Sequence, residues 1–480
     1  MWHSLWVSWG IIAGAWLIRV VMLLVVVTRK KKPVACLAWL AVIYFMPWIG
    51  LALYLLIGEN GLGRRRVKQH SRHAELLVKA VNTASFLQRH VIHPTLDDRQ
   101  EILAHVTETL GGLPILGGND VELLADTEQV VARLIADIDA ARDHVHLLFY
   151  IFAGDDVGRR VGAALERASA RGVRCRVLAD AVGSRKMFRV RGWKPAGERI
   201  EVRPMLTANI LRRRLARLDL RNHRKLAVID GRIGYAGSQN IVRADYGHPR
   251  IGPWRDIMIR VQGPSVSHLQ AVFLEDWDFT TGQDLEEPSL YPEPAATGRA
   301  ALQAVPSGPN FPTTVLQDVV VEAVHAARRQ VILTSPYFVP DDSLLVALRL
   351  AAMRGAQVDI VVPLRTNHVL TDTAGRFYFE QLLKDGVHVH RHRKGLLHAK
   401  TLTVDDQLAM IGSANFDVRS FYINFELNVL LYDAEFTAQL RMLQRQYMQE
   451  SEALELDVWM QRSPGAKLGQ NCAKLLSPLL

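Results

Sequence analysis

Two long apolar runs open the chain, and beyond them the hydrophobic positions change rhythm. Residues 5 to 28 are almost wholly apolar, broken chiefly by Ser8 and Arg19; residues 34 to 57 form a second run broken by aromatic hydroxyls and Pro47. Each is about 24 residues, against the roughly 20 a helix needs to cross a bilayer. The pattern predicts a two-helix transmembrane hairpin over residues 1–60. A signal peptide would show a basic start and a small-residue cleavage site, and the first run has neither. Trp2, Trp6 and Trp9, with Trp39, Trp48 and Tyr54, suit interfacial belts. Arg19 must snorkel, pair within the bundle, or mark a tilted, shallow segment. Orientation is contested by Arg29, Lys30, Lys31 and Lys32 between the runs and Arg64, Arg65, Arg66 and Lys68 after them. A re-entrant hairpin satisfies both clusters, and a cytoplasmic catalytic region is the expectation carried forward.

After a polar, helix-patterned connector at residues 61–110, helical and strand periods alternate. Ala132 to Asp143 reads as a helix, His144 to Phe152 as a buried strand, Val157 to Arg171 as an amphipathic helix ending at Gly172, and Val173 to Leu178 as a strand. The order returns with helix Thr314 to Arg329, strand Gln330 to Thr334, helix Asp342 to Arg354 and strand Gln357 to Val362. The fold class is therefore α/β, with a mixed or largely parallel sheet flanked by helices in each of two duplicated lobes, 111–290 and 291–480. Residues 282–312, rich in Pro, Gly and Glu, read as the linker between them.

A nine-residue stretch occurs twice at corresponding places. Asn222-His223-Arg224-Lys225-Leu226-Ala227-Val228-Ile229-Asp230 is matched by Leu397-His398-Ala399-Lys400-Thr401-Leu402-Thr403-Val404-Asp405, with the histidines 175 residues apart. In both, Gly-Ser-x-Asn follows (Gly237, Ser238, Asn240; Gly412, Ser413, Asn415), and the His-to-Asn interval is 17. One His-x-Lys-x4-Asp match arises by accident at roughly one position in 10^4, so two with the same sequel are no accident. A lone His in an apolar run is ordinarily a core residue; duplication reverses that. The β-branched residues after each Lys predict a strand, which puts His and Lys on one face and Arg224 on the other. An imidazole and an ammonium on one face, joined by a hydroxyl and a carboxamide from the next strand, suit a phosphate.

The two motifs resemble the paired HKD signatures of the phospholipase D superfamily. The flanks Pro253-Trp254-Arg255-Asp256, Ser335-Pro336-Tyr337-Phe338-Val339-Pro340, Arg419-Ser420-Phe421 and Asn424-Phe425-Glu426, with the apolar hairpin and the closing Leu476-Ser477-Pro478-Leu479-Leu480, resemble the bacterial cardiolipin synthase branch. That resemblance implies two phospholipase D-like lobes behind a membrane hairpin in the bacterial inner membrane. It implies phosphatidyl transfer between two phosphatidylglycerol molecules, giving cardiolipin and glycerol through a phosphohistidine. It implies no metal or cofactor and no nucleic-acid partner. His223 is expected to be the nucleophile and His398 the general acid then base, though the assignment is reversible; Lys225, Lys400, Asp230 and Asp405 complete the catalytic signature. Asp230 and Asp405, at the turn ends, are expected to organise loops rather than touch substrate.

Ser238, Asn240, Ser413 and Asn415 are expected to hold phosphate oxygens, and Arg255 and Arg419 a second headgroup. Each imidazole needs an acceptor to fix its tautomer. Asp256, 33 residues after His223, and Glu426, 28 after His398, are the candidates. A hydrolytic phospholipase D, a transferase using another alcohol or phosphatidylethanolamine, an HKD nuclease and a non-catalytic scaffold are the alternatives. The scaffold predicts loss of one motif, whereas both are intact.

Charge sharpens this little: 58 Lys and Arg against 48 Asp and Glu leave +10, which suits any anionic partner. A dense basic stretch from 185 to 225 includes Arg185, Lys186, Arg189, Arg191, Lys194, Arg212, Arg213, Arg214, Arg217 and Arg221. Met205, Leu206, Ile210, Leu211, Leu215 and Leu218 run among them, as in a helix lying on anionic lipid. Cys36, Cys175 and Cys472 have no spacing that suggests a disulfide framework or zinc site.

Overall fold

A computed structural model describes residues 2–29, 33–58, 85–111, 113–189, 193–207, 220–247, 251–285, 287–309, 311, 314–475 and 477. The basic clusters at 30–32 and 64–68, Arg191, and residues 208–219 of the basic stretch lie outside them. The chain divides into two compact units, which are taken separately.

In the N-terminal unit, Trp2–Arg29 is one helix, and its stretch Trp6–Thr28 is long and apolar enough to cross a membrane, with mean hydropathy 2.5. The second apolar run is not a single helix. It divides into Pro33–Phe45, Pro47–Leu53 and a π-helical turn, Tyr54–Gly58. Pro47 has no N–H to give to Ile43, and the backbone turns at Met46 (φ −135°, ψ 70°). The 13-residue first piece is roughly 20 Å long, short of a ~30 Å hydrocarbon core. Met22, Val26, Ile43 and Tyr54 bury themselves between these helices. Gly50 approaches Ile43 so closely that a Cβ would stand 2.7 Å from its Cα. Arg19 is paired inside the bundle: its Nε donates to the Tyr44 carbonyl beside the break, 3.0 Å away, and its guanidinium lies over Trp16. Trp6, Trp9, Leu17, Leu24 and Phe45 point outward and are exposed. That is an apolar surface of a kind that soluble monomers rarely carry.

The second unit is built on one sheet of fifteen strands among the described residues. From one edge, Ile200–Met205, Arg174–Asp180 and His144–Phe149 run parallel. His144–Phe149 then pairs antiparallel with the motif strand Lys225–Ile229, which turns back into Ile233–Gly237, followed by Met258–Gln262 and Leu116–Leu124. From the other side, His388–His392, Gln357–Pro363 and Gln330–Thr334 are parallel. Thr401–Val404, Leu408–Gly412, Glu426–Tyr432 and Ala300–Ser307 follow, all antiparallel. Ser451–Ala453 adds an antiparallel edge strand beyond His388–His392; apart from it, strand order and pairing sense are the same on both sides, and Leu116–Leu124 joins Ala300–Ser307 at the seam.

Every residue of His144–Phe149, Lys225–Ile229 and Thr401–Val404 is buried. Helices cover both faces, so these strands have no solvent-facing side, and the polar members of His144–Phe149 and Thr401–Val404 are buried with the rest. Asp155 and Asp341 cap the helices Asp156–Ala170 and Asp342–Met353, accepting from the N–H of Gly158 and Leu344.

Three expectations are corrected here. Residues 282–312 are not all linker, because Ala300–Ser307 is a central strand with all eight residues buried; its lack of alternation hid it behind the Pro-rich segment. Nor is the described end of the 61–110 connector separate from the body. Helix Asp98–Gly111 sends Leu103 into the core with Val319 and Leu333. Met205 and Leu206 are buried, Met205 ending the edge strand Ile200–Met205, and are not on an interfacial helix.

Candidate active site

Each motif strand is anchored at its start by the opposite side of the sheet. The His223 N–H donates to the Phe425 carbonyl (2.8 Å) and Phe425 N–H to the Arg221 carbonyl (3.0 Å). Likewise His398 N–H donates to the Arg255 carbonyl (2.9 Å), and Leu396–Leu397 pairs with Trp254–Arg255. Glu426 and Asp256 are the very next residues along those partner segments. The carboxylates are consequently exchanged. His223 Nδ1 lies 3.1 Å from Glu426 Oε2 and 3.0 Å from the Ser413 carbonyl, and His398 Nδ1 lies 2.6 Å from Asp256 Oδ1. The expectation that each acid serves the His of its own motif is therefore corrected. Separation along the chain suggested the near partner, but the register of the strands supplies the far one.

An ionised carboxylate only accepts, so Nδ1 of each ring carries the proton and Nε2 keeps its lone pair. Burial pushes His223 below its ordinary value against the pull of Glu426, and pushes His398 down to about 3 against that of Asp256. Burial opposes ionisation of Glu426 and Asp256, yet the facing imidazoles and lysines outweigh it and hold both carboxyls below their usual range. Burial also lowers Lys225 to about 8 and Lys400 well below its ordinary value. Both lysines are fully buried and, unlike the histidines, do not line the cavity; each Nζ donates to the carbonyl of the His two residues before it (2.5 and 2.6 Å).

Both serines have tasks other than phosphate binding. Ser238 Oγ donates to Asp256 (2.6 Å) and accepts from the Ile257 N–H; Ser413 Oγ donates to Glu426 (2.5 Å) and accepts from the Leu427 N–H. The expectation for Ser238 and Ser413 is corrected accordingly: their protons and lone pairs are committed to fixing the carboxylates. Gly412 precedes one of them because the next strand is too near for a Cβ, which would meet the Leu427 carbonyl at 2.5 Å. Asn240 accepts from the Ile151 N–H and, like Asn415, lines the cavity.

Asp230 and Asp405 lie at the far ends of their strands with φ of 52° and 47°. Asp230 accepts from the N–H groups of Arg142, Asp143 and His144, and Asp405 from those of Arg328, Arg329 and Gln330, at 2.7–3.0 Å. Placing them in the catalytic set is thereby corrected, while their expected loop role matches the geometry.

One cavity of about 1380 Å³ receives both imidazoles, with Tyr150, Asn240, Trp254, Tyr337, Asn415, Asp417 and Arg419 on its walls. The Tyr150 ring meets His223 edge-on at 5.1 Å, and Trp254 leans on His398 at 4.5 Å. Arg255 is exposed and is not among the residues lining the cavity; only its carbonyl serves the site, so its expected headgroup role is corrected. Sequence reasoning missed Tyr150, hidden in the apolar Phe149-Tyr150-Ile151-Phe152. It also missed Asp180, a fully buried carboxylate that accepts from the N–H of Val182, Gly183 and Asn222. Asp417, which caps the turn at Ser420, is raised by burial to about 6.

A family profile described as "Cardiolipin synthase, PLD-like domain" matches residues 134–277 and 320–447, and one described as "Phospholipase_D-nuclease N-terminal" matches 17–59. Cardiolipin synthase A of Proteus mirabilis is 36% identical over 100% of this chain and 98% of that protein; its counterpart in Pectobacterium carotovorum is 34% identical over 99% of each. The crystal structure of phosphatidylserine synthase from Haemophilus influenzae covers 80% of this chain and 100% of its own, with TM-score 0.59 and 14% identity, a likeness of fold alone. With two intact HKD motifs, exchanged imidazole–carboxylate pairs and relatives matched along its whole length, the chain belongs to the cardiolipin synthase family of the phospholipase D superfamily.

Proposed function

We propose that this chain transfers the phosphatidyl group of one phosphatidylglycerol to the headgroup hydroxyl of a second, releasing glycerol. The observation that carries this reading is a single cavity faced by two imidazoles, each with Nδ1 on a carboxylate. His223 Nε2 attacks phosphorus; a P–N bond forms and the P–O bond to the glycerol headgroup breaks, with His398 giving that oxygen a proton. The second lipid's hydroxyl then loses its proton to His398 and attacks, and the P–N bond breaks. Burial holds free His398 near 3, and the charge of an arriving phosphodiester restores its proton, since a nearby opposite charge favours the cationic form. Asn240 and Asn415 donate to the equatorial oxygens and Arg419 meets the second headgroup; Lys225 and Lys400, fully buried and off the cavity lining, act through charge, which an arriving phosphodiester favours against the burial that lowers both. The volume exceeds the roughly 300–1,000 Å³ of ordinary small-molecule sites, which suits two headgroups.

The matching strand order supports an origin by internal duplication, with lobes near 111–290 and 291–480. The apolar helix Trp6–Thr28, with the broken second run held to it through Arg19, supports anchoring in the bacterial inner membrane; a multi-pass hairpin with the catalytic unit on the cytoplasmic side is part of the same proposal. Full-length protein given only phosphatidylglycerol should form cardiolipin and glycerol one for one, and His223→Ala or His398→Ala should each abolish both. Phosphatidic acid without cardiolipin would instead make it a hydrolase.

A further inference from the structure

We propose that the mouth of the active-site cavity docks against an anionic phospholipid bilayer through Val369 and Leu370 on one rim and Val182, Arg185 and Lys186 on the other. The inference rests on the phosphatidyl-transfer reading, and names the surface from which the site draws its lipid. Asn367, His368 and Thr371 line the cavity, and between them Val369 and Leu370 form the first turn of helix Val369–Lys384. Val369 is 76% exposed and Leu370 45%. The buried face of that helix begins at Ala374, so its opening turn stands clear of the core.

From the first half of the chain, Val182, Arg185 and Lys186 line the same cavity; Val182 is 46% exposed, and Arg185, Lys186 and the neighbouring Arg189 are exposed. Arg365 is exposed on the Val369 side. Among the described residues the acids nearby are engaged, Asp372 on the helix itself by Arg376 at 2.7 Å. Asp155 accepts from the N–H groups of Gly158 and Arg243, and Asp245 is paired with the Arg243 guanidinium at 2.6 Å. The rim therefore presents aliphatic tips among cations that have no acid partner among the described residues, which complements a layer of anionic headgroups over hydrocarbon. Neither Val369 nor Leu370 lines the cavity, so their shared service to it is access rather than chemistry.

The test compares one enzyme on two presentations of one substrate. Full-length wild type and Val369→Asp/Leu370→Asp are assayed on long-chain phosphatidylglycerol in proteoliposomes, and on a short-chain phosphatidylglycerol below its micelle concentration. The double variant should lose about tenfold or more in the bilayer, read as a rise in the surface mole fraction for half-maximal rate. On the monomeric lipid it should stay within about twofold of wild type. Val369→Trp/Leu370→Trp, which restores apolar bulk, should recover the bilayer rate. Unchanged bilayer activity in the Asp variant, or equal loss on both substrates, would overturn the inference; equal loss with altered sedimentation would assign the face to a second copy of the chain. Wild type that turns over neither lipid would refute the transfer reading itself.

Discussion

His223 and Glu426 are 203 residues apart in the chain and 3.1 Å apart in the fold. His398 and Asp256 repeat the relationship at 2.6 Å across 142 residues. Each imidazole is thus held by an acid delivered from the far side of the seam, and neither motif can orient its own histidine. The same strands that carry the acids accept the N–H groups of the histidines. Docking of the two halves and alignment of the rings are consequently a single event.

The exchange makes a prediction about phenotype. Glu426→Gln should behave as a defect of the His223 step, and Asp256→Asn as a defect of the His398 step, each lowering kcat by about 10^2 or more because the amide stabilises the wrong tautomer. The first-turnover burst of leaving-group release, from phosphatidylglycerol and from a donor with an activated leaving group, separates them, because His398 also serves as base in the second step. The activated donor should restore the burst in Asp256→Asn and leave it impaired in Glu426→Gln; the reverse assignment would contradict the crossed geometry.

Asp230 and Asp405 belong to the signature by spelling but to the scaffold by contact. Each carboxylate collects three backbone N–H groups from a left-handed turn position. Asp405→Ala should cost about 2 kcal/mol or more in stability, since charged hydrogen bonds are worth about 1.5–3 kcal/mol and the donors would be orphaned. Asn, which tolerates the turn and keeps one acceptor, should cost less. Thermal melting measures this; activity per folded molecule should remain near wild type at permissive temperature. A lost rate without a shifted melt would place Asp405 in the chemistry after all.

Acid should weaken the fold through histidines away from the cavity. Burial lowers His144 to about 4 and His268 to about 3, and both ring nitrogens of His268 are buried with no hydrogen-bond partner among the described residues. The unfolded chain binds a proton on each below about 6.5, and the folded chain does so only near those lower values. Their contribution is therefore complete above 6.5 and drains as pH falls toward 4, by about 1.4 kcal/mol per pH unit for each residue. Denaturation midpoints at pH 7 and pH 5 should show a smaller difference in His268→Leu than in wild type; equal differences would contradict it.

Much of this architecture was legible in the sequence. The apolar runs marked the N-terminal helix, and β-branched residues after each Lys marked both motif strands. What escaped did so for physical reasons. Pro47 broke the second run within an otherwise uniform hydropathy, and Ala300–Ser307, buried on both faces, had no alternation to betray it. Ser238 and Ser413 looked like phosphate ligands because a hydroxyl's partner is decided by strand register, which spacing does not encode. The exchange of Asp256 and Glu426 was hidden for the same reason. Candidate acids could be named, but which ring each meets depends on how the halves pair.

The central claim is that one imidazole carries the phosphatidyl group and the other moves the proton. Incubating the His398→Asn and His223→Asn variants with a phosphatidyl ester of p-nitrophenol, a leaving group that needs no acid, tests it most directly. His398→Asn should release one equivalent of nitrophenol in a burst and retain a phosphatidyl adduct that peptide mass spectrometry locates on His223, while His223→Asn releases none. An adduct on His398 in the His223→Asn variant, or none in either, would contradict the account.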